Sequence, residues 1–182
     1  NLSIGFMPFK GYTFEDGVVI SESAAAKLTS VHTNPVDVEL SFPVTTIVRE
    51  MKEIDKLDFG AMVAGKGLFK MWAPSSSQSL NVLNIGDDGI VKEGTVVKAG
   101  EPLILAIKKT RPDLALAGMR GSRKTKSPWK AAEVLWDKSV SGTVTKVVKN
   151  GRNVRVLVET EEPMTLGDKL VGRYGNKGVV TK

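Results

Sequence analysis

The sequence GDKLVGRYGNKG, residues 167–178, combines four glycines with two lysines and one arginine. Glycine permits positive φ angles and a close approach of the backbone to a ligand, and the basic side chains add fixed positive charge. This combination favours a phosphate-binding segment formed by backbone amides and lysines. A P-loop is excluded because Lys177 is followed by Gly178, where that motif requires serine or threonine.

The overall composition indicates a globular protein and excludes several classes of site. The 182 residues are 41% hydrophobic, yet no apolar run approaches the roughly 18 residues of a transmembrane helix, so no membrane partner is expected. The absence of cysteine excludes disulfides and thiolate metal sites, and it favours a cytoplasmic location. A single histidine, His32, argues against a histidine metal site and a Ser-His-Asp triad.

Positive charge is concentrated in one segment of the chain. The net charge is +6, and eight lysines and arginines lie between Lys108 and Lys130 together with Asp113 as the one acidic residue. The rest of the chain is close to neutral. Such clustering predicts one segment that contacts nucleic acid or an acidic partner.

Local patterns predict short strands and one helix. Residues 2–7 alternate as a strand does, residues 18–20 suit a second strand, and residues 23–28 suit a helix capped by Ser21 or Ser23. Residues 60–67 are a near miss for a P-loop and are interpreted as a turn. Glycine turns about six residues apart in 88–107 indicate short strands of the sandwich-barrel hybrid kind. Residues 139–149 and 152–159, joined by Asn150-Gly151, predict a hairpin with a type I′ turn.

A second motif, FMPFKGYTFEDGVVISE, occupies residues 6–22. The two motifs, in this order and separated by a long insertion, resemble the β subunit of multisubunit DNA-dependent RNA polymerases. The family signatures are F-M-P-W-x-G-Y-N-F-E-D-x-x-x-I-S-E and G-D-K-x-x-x-R-x-G-N-K-G, and Phe14-Glu15 resembles the bacterial branch. The family usually has a small residue at Val171 and histidine at Tyr174. The chain is therefore identified as a divergent member, such as a phage-encoded one.

The resemblance implies a mostly β fold. Residues 1–36 and 150–182 would belong to a double-psi β-barrel, and residues 37–149 would form an inserted sandwich-barrel hybrid, the flap, with its tip at about 108–136. The barrel within this chain would be incomplete, so that the chain would be a segment of a larger subunit. Two alternatives stay open: a stand-alone, non-catalytic nucleic-acid-binding β-barrel module, and part of a single-chain polymerase with two barrels.

The resemblance also implies a role in DNA-templated RNA synthesis, a nucleotidyl transfer. Lys169 and Lys177 would be catalytic through contacts to phosphates of the RNA 3′ end or the incoming nucleotide, and Arg173, Gly175 and Asn176 would join them in binding nucleotide or nucleic acid. The metal-chelating aspartates belong to a β′-like partner subunit, which would hold most of the Mg²⁺ ligands. The isolated chain is expected to be inactive.

Glu15 and Asp16 resemble acids that lie near the second Mg²⁺ of the family. Adjacent residues of an extended strand point to opposite faces, so at most one of the two is expected to approach the metal.

The expected partners follow from the same resemblance. They are a β′-like subunit, α-like or other polymerase subunits, DNA template, RNA product and NTPs, in the cytoplasm of a bacterium or an infected bacterial cell. An initiation factor, or nucleic acid, would bind at the flap tip through apolar and basic side chains: Leu114, Leu116, Met119, Arg120, Arg123, Lys124 and Lys126.

Overall fold

The computed structural model describes residues 2–43, 54–111 and 128–182. By its internal contacts the chain divides into two units, Asn1–His32 with Glu161–Lys182, and Thr33–Thr160. The sequence-based division after residues 36 and 149, and its assignment to barrel and flap, stay a prediction.

Among the described residues, more lie in strands than in helices, which confirms the predicted mostly β class. The strands are β1 (Gly17–Val18), β2 (Ser30–Glu39), β3 (Met62–Ala64), β4 (Val96–Val97), β5 (Pro102–Ile104), β6 (Ala106–Lys109), β7 (Trp129–Ala131), β8 (Val134–Leu135), β9 (Gly142–Asn150), β10 (Asn153–Glu162), β11 (Lys169–Val171) and β12 (Lys177–Val180). The helices that lie wholly within the described residues are α1 (Glu22–Lys27), α2 (Lys66–Trp72) and α3 (Pro74–Ser79). Within the described ranges, no helix is long and apolar enough to span a bilayer.

The first unit contains a three-stranded sheet with the order β1-β12-β11. Helix α1 follows β1, and the Ser21 hydroxyl accepts a hydrogen bond from the Ala24 amide, which confirms the predicted helix and its N-cap. The prediction of a strand at residues 2–7 is wrong. These residues are exposed and pair with no strand in the described part of the chain, and alternation alone cannot stabilise a strand without a partner.

The second unit contains most of the buried side chains. Its strands contribute to sheets with the orders β2-β10-β9-β4, β3-β6-β7 and β5-β8. Along β10, Val154, Val156 and Val158 are fully buried and alternate with more exposed residues, as expected for a sheet with one face on a core. Phe69 of α2 and Trp136 are buried in the same core. Pro35 lies in β2, at the edge of its sheet, where a missing amide is tolerated.

Strands β9 and β10 form the predicted hairpin, but the turn differs from the predicted type I′. The closing pair is Asn150 and Asn153, so that Gly151 and Arg152 are the central residues. Gly151 has a φ of 58°, whereas Arg152 does not have a positive φ. Glycine first, followed by a residue with negative φ, is the pattern of a type II′ turn. The type I′ prediction is wrong because the strand register places the turn one residue later.

A turn was expected over residues 60–67. Residue 60 does lie in a turn, but residues 62–67 form β3, the connecting Gly65 and the start of α2. The Gly65 amide donates to the Leu105 carbonyl at 3.1 Å. The Lys66 ammonium donates to the Ile85 carbonyl at 3.0 Å. The groups that a P-loop would direct at phosphate are therefore used inside the fold, and the segment has a structural role.

Candidate nucleotide-binding site

Strand β12 brings the two sequence motifs together. It pairs in parallel with β1, with Gly17 opposite Val179 and Val18 opposite Val180. The Val179 amide donates to the Asp16 carbonyl at 2.8 Å. Residues about 160 positions apart in sequence thus become neighbours, and the Glu15-Asp16 turn lies beside the strand that begins at Lys177.

Lys169 and Lys177 lie on the same face of this sheet. Lys169 is directly opposite Val179 across the antiparallel pair of β11 and β12. Lys177 is directly opposite Val171 in the same pair. Because opposed residues share a face, the two lysines are diagonal neighbours, for which the spacing is typically about 7–8 Å. Both side chains are exposed, whereas Val180 on the other face is buried.

Both lysine ammonium groups are available to a ligand. Among residues 2–43, 54–111 and 128–182, the ion pairs include Lys149–Asp88 and Arg155–Asp37, and neither Lys169 nor Lys177 takes part in one. Two uncompensated positive charges on one exposed face attract an anion, and phosphate oxygens are suitable acceptors for ammonium donors.

The turn between β11 and β12 positions the remaining predicted residues. The Gly172 amide donates to the Asn176 carbonyl at 2.6 Å, and the Gly175 amide donates to the Gly172 carbonyl at 3.2 Å. Gly175 has a φ of 87°, a conformation that favours glycine. Arg173 and Asn176 are exposed, and Tyr174 is 98% exposed. The turn is therefore held by its own backbone, with the predicted polar side chains on the surface.

Gly178 is needed for contact between the two motifs. A Cβ atom at this position would lie 2.7 Å from the Asp16 carbonyl oxygen and 2.5 Å from the Val18 Cγ2 atom. The sequence pattern predicted that the glycines would permit positive φ or approach to a ligand. Gly167 and Gly175 do have positive φ, but Gly178 instead permits the close approach of β1 to β12.

Glu15 and Asp16 lie in the turn that precedes β1, and both are exposed. Glu15 has a φ of 51°, in the left-handed region that is uncommon for residues other than glycine. The argument that the two side chains point to opposite faces of a strand does not apply, because neither residue belongs to a strand. Within the described residues, no group of three or more histidine, cysteine or acidic residues is placed to hold a metal ion.

Sequence reasoning missed Thr181, which contacts the same turn. Its hydroxyl donates to the Tyr12 carbonyl at 2.6 Å, and the Lys182 ammonium lies 4.7 Å from the centre of the Tyr12 ring. Thr181 follows the glycine-rich motif, and its residue type alone carries no signal of this contact.

The basic segment is described only at its ends. Leu114, Leu116, Met119, Arg120, Arg123, Lys124 and Lys126 lie outside the described residues. Lys108 and Lys130 are exposed and directly opposite each other in the pair of β6 and β7. The Lys109 ammonium, in contrast, donates to the carbonyls of Asp55 and Leu57 at 2.8 and 2.9 Å, so it contributes to the fold.

Comparison with known proteins identifies the family. A family model described as RNA polymerase Rpb2, domain 6, matches residues 1–182. The chain belongs to this family. The resemblance to polymerase β subunits that the two motifs indicate is thereby confirmed, and the chain is a divergent member of the Rpb2 domain 6 family.

Similar curated proteins are named DNA-directed RNA polymerase subunit beta. Those of Treponema pallidum (strain Nichols), Rubrobacter xylanophilus and Euglena gracilis are 29%, 30% and 27% identical to the chain. Each alignment covers 100% of this chain but only 15–16% of the relative. This Rpb2 domain 6 chain thus spans about a sixth of the length of the curated relatives that it matches.

Proposed function

We propose that this chain forms the phosphate-binding part of a β-like subunit in a DNA-directed RNA polymerase, a nucleotidyltransferase. The observation that carries the proposal is the sheet of β1, β12 and β11. It places Lys169 and Lys177 on one exposed face, without ion pairs in the described residues, next to the Glu15-Asp16 turn. The Rpb2 domain 6 match and the names of the relatives support it.

In nucleotidyl transfer, the 3′ hydroxyl of RNA attacks the α-phosphate of an NTP and pyrophosphate leaves. Negative charge develops on the phosphate oxygens as the bond to the leaving group weakens. Lys169 and Lys177, held by paired strands, stabilise that charge without reorganising during the reaction. Arg173 and Asn176, on the turn between the strands, add donors to the same ligand, and the positive φ of Gly175 shapes the turn.

Mg²⁺ is the metal expected for this chemistry, and it would lower the charge of the phosphates when bound. Mg²⁺ prefers six oxygen ligands in near-octahedral geometry and usually keeps several waters. Glu15 and Asp16 supply carboxylates of the right kind but do not form a complete site within the described residues. A β′-like partner would therefore hold the metal, and the acidic turn would supplement that site. On its own, the 182-residue chain would not synthesise RNA.

Substitution of the two lysines tests the proposal in the assembled polymerase. Lys169→Ala and Lys177→Ala are each expected to lower kcat for single-nucleotide addition by about 10²–10³-fold, because a fixed charge at the reacting phosphate is lost. DNA affinity should change by less than about threefold, since one lysine contributes little among many phosphate contacts. The measurements are a kcat on an RNA–DNA scaffold and a Kd for the template, on one preparation.

Lys146→Ala is the matched control, because Lys146 is also an exposed strand lysine but belongs to β9. It should leave both kcat and Kd unchanged. Equal losses of rate and DNA affinity in the Lys169 and Lys177 variants would favour the non-catalytic nucleic-acid-binding module. No loss in either would refute any role for these lysines at phosphate.

We further propose that the unit Thr33–Thr160 acts as a flap and that residues 112–127 contact an initiation factor or nucleic acid. Three observations on this segment and on the strands that flank it, β6 and β7, support the proposal. Residues 110 and 128 are adjacent, since the Thr110 amide donates to the Pro128 carbonyl at 2.7 Å. The opposed lysines Lys108 and Lys130 are an unfavourable pair unless an anion lies near them. The segment between them is also strongly basic.

Because residues 110 and 128 are adjacent, the segment between them can be replaced without separating the strands on either side. Replacing residues 112–127 by a short Gly-Ser linker leaves β6 and β7 free to pair as before. Factor-dependent initiation at a promoter is expected to fall, whereas extension of a preassembled RNA–DNA scaffold persists. Unchanged promoter initiation would remove this role from the segment.

A further inference from the structure

Thr181 contacts both ends of the turn that carries the acidic pair. Its hydroxyl donates to the Tyr12 carbonyl at 2.6 Å and lies 3.2 Å from the Val18 carbonyl. Its amide donates to the same Val18 carbonyl at 2.9 Å. A hydroxyl has one proton, so the shorter contact, to Tyr12, is the main hydrogen bond. The entry to the turn is therefore tied to Thr181, the residue that directly follows β12.

The turn is compact, so the hydrogen bond from Thr181 to Tyr12 can determine the position of the whole turn. The Gly17 amide donates to the Phe14 carbonyl at 3.0 Å. A Cβ atom on Gly17 would clash with the Tyr12 carbonyl oxygen and would lie 3.2 Å from the Thr181 methyl group. Glu15, between these contacts, has a φ of 51° and thus an unfavourable backbone conformation that the surroundings must maintain. The Thr181 methyl lies beside Gly17, and the contact that Thr181 makes with the turn is the hydrogen bond of its hydroxyl.

We infer that Thr181 is a positioning residue for the polymerase site: its hydroxyl fixes the Glu15-Asp16 turn relative to Lys177. The inference rests on the proposed function, because it assigns a supporting role at that same site. Thr181 itself contacts backbone carbonyls and is not a catalytic residue. Its effect on the reaction would pass through the placement of the acidic pair beside β12.

The test compares two substitutions in the assembled polymerase. Thr181→Val keeps the shape and removes the hydroxyl, whereas Thr181→Ser keeps the hydroxyl and removes the methyl. Thr181→Val is expected to lower kcat for nucleotide addition about tenfold, because small displacements of reacting groups are costly in rate. KM for NTP and Kd for the template should stay within about twofold, and Thr181→Ser should retain most of the wild-type kcat.

A double-mutant cycle tests whether Thr181 affects kcat through the Glu15-Asp16 turn. If Thr181 acts through the acidic turn, adding Thr181→Val to the Glu15→Gln/Asp16→Asn variant should lower kcat little further, because coupled residues are not additive. Full additivity would overturn the inference. The inference would also be overturned if Thr181→Val kept the wild-type kcat, or if Thr181→Ser lowered kcat as much as Thr181→Val does. It would likewise fail if the loss of kcat only reflected a smaller fraction of assembled enzyme.

Lys177→Ala, measured alongside, separates the two proposals. If Lys177→Ala lowers kcat and Thr181→Val does not, only the positioning role fails. If Lys177→Ala leaves kcat unchanged, the proposed function fails, whatever the result at Thr181.

Discussion

Substitution of Gly178 by alanine tests whether contact between the two motifs is needed for activity. The added Cβ atom would lie 2.7 Å from the Asp16 carbonyl oxygen, about 0.7 Å inside the ordinary contact distance of 3.4 Å. The Cβ atom would also lie 2.5 Å from the Val18 Cγ2 atom. A side chain can rotate away but the Asp16 carbonyl is backbone, so β1 has to move away from β12. Overpacking of this size typically costs about 1–3 kcal/mol. The hydrogen bond from the Val179 amide to Asp16, 2.8 Å long, should lengthen or break.

Two measurements follow from this displacement. In the assembled polymerase, kcat for single-nucleotide addition should fall at least about tenfold, because the acidic turn moves relative to Lys177. Hydrogen exchange of the peptide that contains Val179 should become faster. Gly5→Ala is the matched control, since nothing lies within 4 Å of a Cβ atom at Gly5 and its φ is not positive. If Gly178→Ala retains wild-type kcat and protection, the close approach of the strands is not needed for catalysis.

Two further substitutions follow from exposure and charge. Tyr174→Ala should change the unfolding free energy by less than about 0.5 kcal/mol, because the side chain is 98% exposed; thermal unfolding would check this, and a larger loss would show that the ring is packed. The Arg155 guanidinium, by hydrogen bonding, lowers the pKa of Asp37 below its ordinary 3.8. The pair therefore stabilises the folded state above that ordinary value and loses its effect as the pH falls through the lowered pKa. The difference in stability between wild type and Asp37→Asn should be small at pH 7, since both groups are exposed, and should vanish in acid; a difference that grows in acid would contradict this sign.

Local structure could be predicted where it depends on residues that are close together in the sequence. The cap on α1 depends on Ser21 and an amide three residues later, and the β9–β10 hairpin depends on β-branched runs on both sides of a glycine. Details that depend on register could not be predicted in the same way. The turn at Gly151-Arg152 is displaced by one residue because pairing along the whole hairpin, and not the Asn-Gly dipeptide, fixes its position.

The sequence motifs indicate which residues to consider for the candidate site, and those assignments stay a prediction, but the motifs do not show how the strands bring the residues together. The lysines of the glycine-rich motif were identified from their resemblance to a known family, and the strand alternation then explains why they share a face. The parallel pairing of β1 with β12 joins residues about 160 positions apart, and nothing in hydrophobic periodicity specifies such a partner. Thr181 could not be predicted for the same reason, because its hydroxyl bonds to the Tyr12 carbonyl, which is distant in sequence.

Backbone contacts, more than side-chain packing, maintain the geometry of this site. In the unit that contains it, Val180 is the buried hydrophobic side chain among the described residues, while Phe6, Met7 and Phe14 are exposed. The relative positions of Lys177 and the acidic turn therefore depend on strand pairing, on the absence of a side chain at Gly178 and on the Thr181 hydroxyl. Substitutions at these three features should lower the rate of catalysis more than the affinity for DNA, because they displace charged groups without removing them.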